Sequence, residues 1–260
     1  MGYREISFTN TVVASPPTAT PPEGIEVNAM GRPESVVGDS VLPAKVTALV
    51  PLRSLGDKSK TRLRDVLSAS ERAVLSAAML TDVVAALHGA DVTAIVVLAG
   101  DDSAKRIGRE LGLNVLRDQD PSTGLNGAIR PALAPHSDTL LVMPDLPMLT
   151  AEDVTALLTT RATVAIAPSA DGGTGGLFQR RGVRLPPAFG PGSASAHASG
   201  CLALKATLEC RDLLGFSVDI DTPNDLTELV PERLGPATAR LVQHPTFARL
   251  LPAVSPSARW

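Results

Sequence analysis

Phe216-Ser217-Val218-Asp219-Ile220-Asp221-Thr222-Pro223-Asn224-Asp225-Leu226 sets two carboxylates one residue apart behind an apolar lead-in. Leu213, Leu214, Phe216 and Val218 read as a short buried strand. In an extended segment, residues two apart point to the same side, so Asp219 and Asp221 would face one point in space, about 7 Å apart at the backbone. Two anions held that close repel unless a cation lies between them. Carboxylate oxygens suit a hard divalent ion such as magnesium. Thr222-Pro223 then reads as a helix start, with Thr222 as N-cap, Pro223 at the first helical position, and Asn224 and Asp225 in the first turn. The plainer alternative makes both acids solvated loop residues and Thr222 only a cap.

A second strand end favours the metal reading. Leu140-Leu141-Val142-Met143 is an apolar run closed by Pro144-Asp145-Leu146-Pro147. An acid at the carboxyl end of a buried parallel strand lies where open α/β sheets bind ligands. Asp145, Asp219 and Asp221 are therefore the expected ligands of one metal site.

Working outward, Lys45 to Pro51 reads as the first strand of the domain. The loop behind it carries Arg53, Lys58, Lys60 and Arg62, a basic set suited to cradling phosphate. No glycine-rich dinucleotide fingerprint or Walker loop follows this strand. Ser68-Ala69-Ser70-Glu71 is a capping box, and the helix it opens runs to about His88, with Val74, Ala77, Ala78, Leu80 or Thr81, Val84 and Leu87 on one face. Thr93 to Ala99 reads as a strand, and Asp101-Asp102-Ser103 as the cap of the next helix. After the short strand Asn114-Val115-Leu116, Gly124-Leu125-Asn126-Gly127 opens a helix whose exposed N-terminus suits a base or phosphate; Asn126 read alone is a cap.

Ala162 to Pro168 is a further strand, followed by the turn Asp171-Gly172-Gly173-Thr174-Gly175-Gly176. Its glycines would let backbone N–H groups crowd an anion, with the Thr174 hydroxyl as a further donor; the alternative is a plain hairpin turn. Phe189-Gly190-Pro191-Gly192-Ser193 repeats the theme before a helix from about Ala194, on which His197 reads as structural. Gly172 to Phe189 reads as an inserted hairpin, Asp225 to Val230 as a helix, and Leu234 to Leu251 as a fraying one. The alternation from Val46 to Leu229 implies an α/β fold, a three-layer sandwich with a mostly parallel sheet.

Residues 1–44 differ from the rest: Ser15-Pro16-Pro17-Thr18-Ala19-Thr20-Pro21-Pro22 has linker composition, so a disordered, proline-rich leader is expected, then a domain over 45–243 and a tail over 244–260. No signal-peptide pattern opens the chain. Net charge of −3 argues against a nucleic-acid binder. No apolar run is expected to span a membrane, and a cytoplasmic location follows. Aromatics make up only 3% of residues, so the core must be aliphatic. Cys201 and Cys210 are too few for a disulfide framework or a zinc site, and read as reduced and packed.

Taken together, several of these segments resemble the guanylyltransferases that make the side-chain precursor of the deazaflavin coenzyme F-420, known as 2-phospho-L-lactate or phosphoenolpyruvate guanylyltransferases by substrate. The resemblance rests on Lys60-Thr61-Arg62-Leu63, Gly124-Leu125-Asn126-Gly127-Ala128-Ile129, Asp145-Leu146-Pro147, Gly173-Thr174, Phe189-Gly190-Pro191-Gly192-Ser193 with His197, and Asp219 to Leu226. Gly235-Pro236-Ala237-Thr238-Ala239-Arg240 is similar to the family's tail, and the likeness spans about residues 45–243.

The resemblance implies the nucleotide-diphospho-sugar transferase (GT-A-like) fold. It implies that Asp145, Asp219 and Asp221 hold magnesium, and that Thr174, Gly190 and Ser193 bind a phosphorylated three-carbon acid. Lys60 and Arg62, with Arg53, would neutralise the triphosphate of GTP, and Gly124 and Asn126 would lie near its guanine or ribose. Monomer and homodimer both stay open. The alternatives are another nucleotidyltransferase of the same fold, such as a molybdopterin cytidylyltransferase or a sugar-phosphate enzyme, or a catalytically silent nucleotide-binding regulator.

Overall fold

The computed structural model describes residues 45–55, 58–133 and 137–248. The leader 1–44 and the end of the tail, 249–260, lie outside the described residues. Among the described residues the strands are β1 (Val46–Leu52), β2 (Ala94–Ala99), β3 (Asn114–Arg117), β4 (Asp138–Val142), β5 (Val164–Pro168), β6 (Thr174–Gln179) and β7 (Leu208–Cys210). They form one sheet in the order β3-β2-β1-β4-β6-β5-β7. All pairings are parallel except those of β6, which runs antiparallel to both β4 and β5.

Alternate strand residues feed opposite faces, as the period of two requires. Ala48, Val50 and Leu52 pack with α1 (Ala69–Gly89), α2 (Asp102–Glu110) and α4 (Ala151–Leu158). Leu49, Leu141, Ile166 and Leu177 pack on the other face with Ile129 of α3 (Gly124–Ala132) and Cys201 of α5 (Ser193–Ala203). The three-layer α/β architecture is therefore as expected. Its apolar content is almost wholly aliphatic, with Phe178 and Phe216 the largest fully buried side chains.

The capping box forms: the Glu71 N–H donates to Ser68 Oγ at 3.3 Å, and the Ser68 N–H to Glu71 Oε2 at 2.6 Å. The expected apolar face of α1 holds at Leu80, Val84 and Leu87, which are buried, and fails at Val74. Val74 is half exposed, whereas Leu75, Met79 and Val83 are fully buried. The helix is covered on two sides, by the sheet and by a third cluster that draws Leu63, Met148, Ile220, Leu226 and Phe247 around Leu75 and Met79. That double burial explains its apolarity. Against the expectation of no such run, α1 is long and apolar enough to cross a membrane by length and composition; 56% of that window is buried within the protein.

Four further readings are corrected. Leu214–Ser217 is a helical turn, α6, rather than a strand, and it delivers Phe216 into the core. The expected inserted hairpin instead places β6 in the interior of the sheet, and the short β7 was not foreseen. The helices expected after Asp225 reduce to 3-10 turns at Asp225–Thr227 and Pro231–Arg233, followed by α7 (Pro236–Val242) and α8 (Pro245–Ala248). Phe247 of α8 is buried and packs in the cluster around Leu75 and Met79. Both cysteines are free, but Cys210 is exposed rather than packed.

The glycines of β6 explain why α6 packs where it does. A Cβ on Gly175 would overlap the Phe216 carbonyl, and one on Gly176 would lie 2.6 Å from the Phe216 ring. These two glycines allow the close approach of Phe216. The Gly173 N–H of the same turn is likewise taken, donating to Asp171 Oδ1 at 2.8 Å.

Candidate active site

The acidic cluster forms from two segments far apart in sequence. Asp145 follows β4 at its carboxyl end, three residues past Val142. Asp219 and Asp221 flank Ile220, whose side chain is fully buried. Burial of the middle residue turns both neighbours to the opposite side, as the alternation argument requires. The Ile220 N–H donates to the Asp145 carbonyl at 3.4 Å, tying the two segments together. One carboxylate oxygen from each of the three aspartates lies within 4.8 Å of the other two.

The turn after the aspartates is built differently from the expected helix cap. The Asp225 carboxylate accepts from the N–H groups of Asp221 and Thr222 at 2.7 and 2.6 Å, and from Thr222 Oγ1 at 2.9 Å. Asp225 is thus the capping group and Thr222 the donor, so the Asp221 backbone is clamped from behind.

Lys60 supplies the cation. Its backbone is left-handed, φ 45°, a conformation that costs a non-glycine residue on the order of 1 kcal/mol and clusters at functional sites. Its ammonium donates to Asp145 Oδ2 and, at 2.8 Å, to Asp221 Oδ1. Burial works to lower the Lys60 pKa, but the Asp145 and Asp221 carboxylates outweigh it and hold the pKa above the usual lysine value. Arg62 reaches Asp221 at 4.0 Å and is largely exposed. Asp219, by contrast, has its pKa pushed up to about 6 by burial and by the charges of Asp145 and Asp221, only partly offset by Lys60.

These groups line one end of a cavity of about 460 Å³, within the range of small-molecule sites. Arg53 lines it too, its guanidinium tied to Asp118 Oδ2 at 3.0 Å and to the Pro121 carbonyl at 3.1 Å. Thr174, Gly190 and Ser193 line another part of the wall. Ser193 Oγ donates to Thr174 Oγ1 at 2.9 Å, and the fully buried His197 places Nδ1 3.1 Å from the same oxygen.

The expected nucleotide contacts Gly124 and Asn126 are not on this wall; Leu125 is. Asn126 is not a cap either. Its Nδ2 donates to the Phe189 carbonyl at 3.0 Å and its Oδ1 accepts the Phe189 N–H at 2.8 Å. Among the wall residues not singled out from the sequence are Ser59 and Ser76, whose buried hydroxyls have no hydrogen-bond partner. Ser59 adjoins Lys60 in the basic loop, a signal that was available; Ser76, within α1, carried none.

The Asp145, Asp219 and Asp221 donor set fits a hard divalent ion: all ligand atoms are carboxylate oxygens. Three carboxylates face one buried ammonium, and the raised Asp219 pKa reflects burial first and the charges of Asp145 and Asp221 second.

Known proteins resemble this chain over most of its length. The family described as "Guanylyl transferase CofC like" matches residues 46–240. A 3-phospho-D-glycerate guanylyltransferase of Phenylobacterium zucineum (strain HLK1) is 36% identical over 196 residues, 71% of this chain and 89% of the relative. A phosphoenolpyruvate guanylyltransferase of Roseiflexus sp. (strain RS-1) is 35% identical over 204 residues, 76% of this chain and 90% of the relative. A 2-phospho-L-lactate guanylyltransferase of Methanosphaerula palustris is 31% identical over 194 residues, 75% and 88% of the two chains. Among solved structures, one from Desulfovibrio desulfuricans G20, described as a nucleotide-diphospho-sugar transferase, superposes with a TM-score of 0.63 at 18% identity, covering 80% of this chain and 98% of that one. That likeness concerns the fold alone. The chain belongs to the CofC-like guanylyl transferase family.

Proposed function

We propose that this protein transfers GMP from GTP to a phosphorylated three-carbon acid and releases pyrophosphate, a step of coenzyme F-420 biosynthesis. A phosphate oxygen of the acid forms the new bond to the α-phosphorus of GTP, and the bond between that phosphorus and the β-phosphate oxygen breaks. The nucleophile is already anionic, so no general base is needed. The difficulty is bringing two polyanions together, and the side chains of this cavity address it.

Asp145, Asp219 and Asp221 would hold magnesium, which when bound supplies positive charge and alignment at the phosphate oxygens. Lys60 lies at the same place with a pKa that keeps it charged, and Arg62 stands beside it. Both would neutralise the triphosphate and the departing pyrophosphate. Arg53, held by Asp118, offers a third cation on the same wall. Thr174, Gly190 and Ser193 would hold the anionic groups of the acid. The observation that carries this reading is the convergence of three carboxylates and Lys60 in the cavity that Thr174 and Ser193 also line.

The partners are then GTP and a small phosphorylated acid, and their chemistry fits a cytoplasmic setting. The test is a pyrophosphate-release assay with GTP against phosphoenolpyruvate, 2-phospho-L-lactate and 3-phospho-D-glycerate, with and without magnesium. Release with one of the acids, dependent on magnesium and weaker with CTP, is expected. No release with any acid, or a preference for CTP, overturns the reading.

A further inference from the structure

The part of the wall formed by Thr174 and Ser193 rests on a chain of buried polar groups that can be read in one direction only. The Ala188 N–H donates to His197 Nε2 at 3.0 Å. A ring nitrogen that accepts carries no proton, so the neutral imidazole bears its proton on Nδ1. His197 is fully buried, and burial pushes its pKa down to about 4, so the ring is neutral at neutral pH. Nδ1–H therefore donates to Thr174 Oγ1, 3.1 Å away. Ser193 Oγ donates to the same oxygen at 2.9 Å. Thr174 Oγ1 accepts twice, which uses both of its lone pairs. Its own proton is left to point elsewhere, and Thr174 lines the cavity.

The loop between His197 and the cavity is fixed a second time. Asn126 binds both the N–H and the carbonyl of Phe189. The Phe189 ring meets the His197 ring edge-on, centroids 4.9 Å apart. Gly190 follows with φ 137°, a conformation suited to glycine, and its carbonyl accepts the Ser193 N–H at 3.0 Å.

We propose that His197 and Asn126 are positioning residues for the acceptor acid: His197 makes Thr174 an obligate hydrogen-bond donor into the cavity, and Asn126 sets the Phe189–Gly190 backbone beside it. This deepens the guanylyltransferase reading and rests on it. An obligate donor favours an oxygen that bears only lone pairs, as in a carboxylate or phosphate. An ammonium in the same place would set proton against proton, and an alcohol, which can accept, would offer a neutral oxygen and so a weaker bond than a carboxylate or phosphate. The wall thus favours the anionic oxygens of an ionised acid, whose charge strengthens the bond that Thr174 donates.

Two measurements on the full chain test this. In the first, ¹⁵N-histidine labelling reports the tautomer of His197, one of 4 histidines, with His197→Gln assigning its resonances. The Nδ1–H tautomer at neutral pH is expected; the Nε2–H tautomer or an imidazolium overturns the relay. In the second, steady-state kinetics use whichever of the three acids supports pyrophosphate release. Thr174→Val is expected to raise KM for the acid on the order of tenfold to a hundredfold, with KM for GTP within about twofold and Thr174→Ser recovering most of the loss. His197→Phe and Asn126→Ala should show the same split between the substrates. His197→Gln, whose amide can accept from Ala188 and donate to Thr174, should lose less, and it stands in should His197→Phe not fold.

An unchanged acid KM in Thr174→Val, or equal changes in both KM values in the His197 and Asn126 variants, sinks the proposal. Failure of the wild-type chain to turn over any acid sinks the guanylyltransferase reading instead, and the tautomer measurement still decides the relay.

Discussion

Lys60 Nζ donates to Asp221 Oδ1 at 2.8 Å across 161 residues of sequence, and the same ammonium also bonds Asp145. One cation therefore bridges the two segments that supply the acidic cluster, in the space a divalent ion would share. Lys60→Met is expected to lower kcat/KM on the order of a hundredfold or more, because a buried positive charge facing phosphate is lost. Melting without magnesium should also drop in this variant, and magnesium should recover part of the loss. Pyrophosphate release and melting curves at low ionic strength check both outcomes.

Asp219→Asn is expected to abolish turnover yet to stabilise the metal-free protein at neutral pH. The folded-state pKa of Asp219 is raised from 3.8 to about 6, so the folded protein binds the extra proton between those values. Its contribution to stability is present at low pH and is lost as pH rises through that window. Removing the charge removes this loss, worth about 1 kcal/mol once partial solvent screening is allowed for. Denaturant melts with and without magnesium should show a more stable variant that no longer responds fully to the ion.

His197 has the opposite sign. Its pKa falls from 6.5 to about 4 on folding, so its contribution is full above 6.5 and is lost as pH falls towards 4. The slope is worth about 2–3 kcal/mol in total. Because its window overlaps that of Asp219, the two partly cancel in the wild-type chain. His197→Gln should unmask the Asp219 slope and gain relative stability on acidification, whereas Asp219→Asn should lose it. Stability measured across this pH range in both variants separates the two groups.

Gly175→Ala is expected to destabilise the fold by about 1–3 kcal/mol, since the new methyl would overlap the Phe216 carbonyl. The strand must shift or α6 must lift. Because the Met143 N–H donates to the Gly175 carbonyl at 3.1 Å, that shift reaches the strand end leading to Asp145. Thermal melting should fall, and magnesium affinity should fall with it; a variant as stable as the parent argues against tight packing of Phe216 on β6.

Much of this was legible from local chemistry. The Ser68–Glu71 capping box, the cap at Asp101, whose Oδ1 accepts the Ala104 N–H at 2.9 Å, and the placement of Asp145 at a strand end all follow from neighbours in sequence. The same-side projection of Asp219 and Asp221 also held, although the strand reading beneath it did not. Phe216 lies in a helical turn because two glycines of β6, some forty residues earlier, leave room for its ring. Those glycines read as a turn because glycine is poor in strands, and only partners on both edges keep β6 extended. Asn126 read as a cap or a nucleotide contact, since nothing near it announces Phe189.

The sequence by itself determined the alternation of strands and helices, the caps, and which acids and bases were available, because each depends on side chains within a few residues. Only the tertiary structure decided that Lys60 lies between Asp145 and Asp221, that β6 enters the sheet antiparallel, and that His197 Nδ1 faces Thr174 Oγ1. Those facts depend on burial and on hydrogen bonds between distant segments, and a buried donor or acceptor takes its partner from whatever the fold brings within about 3 Å.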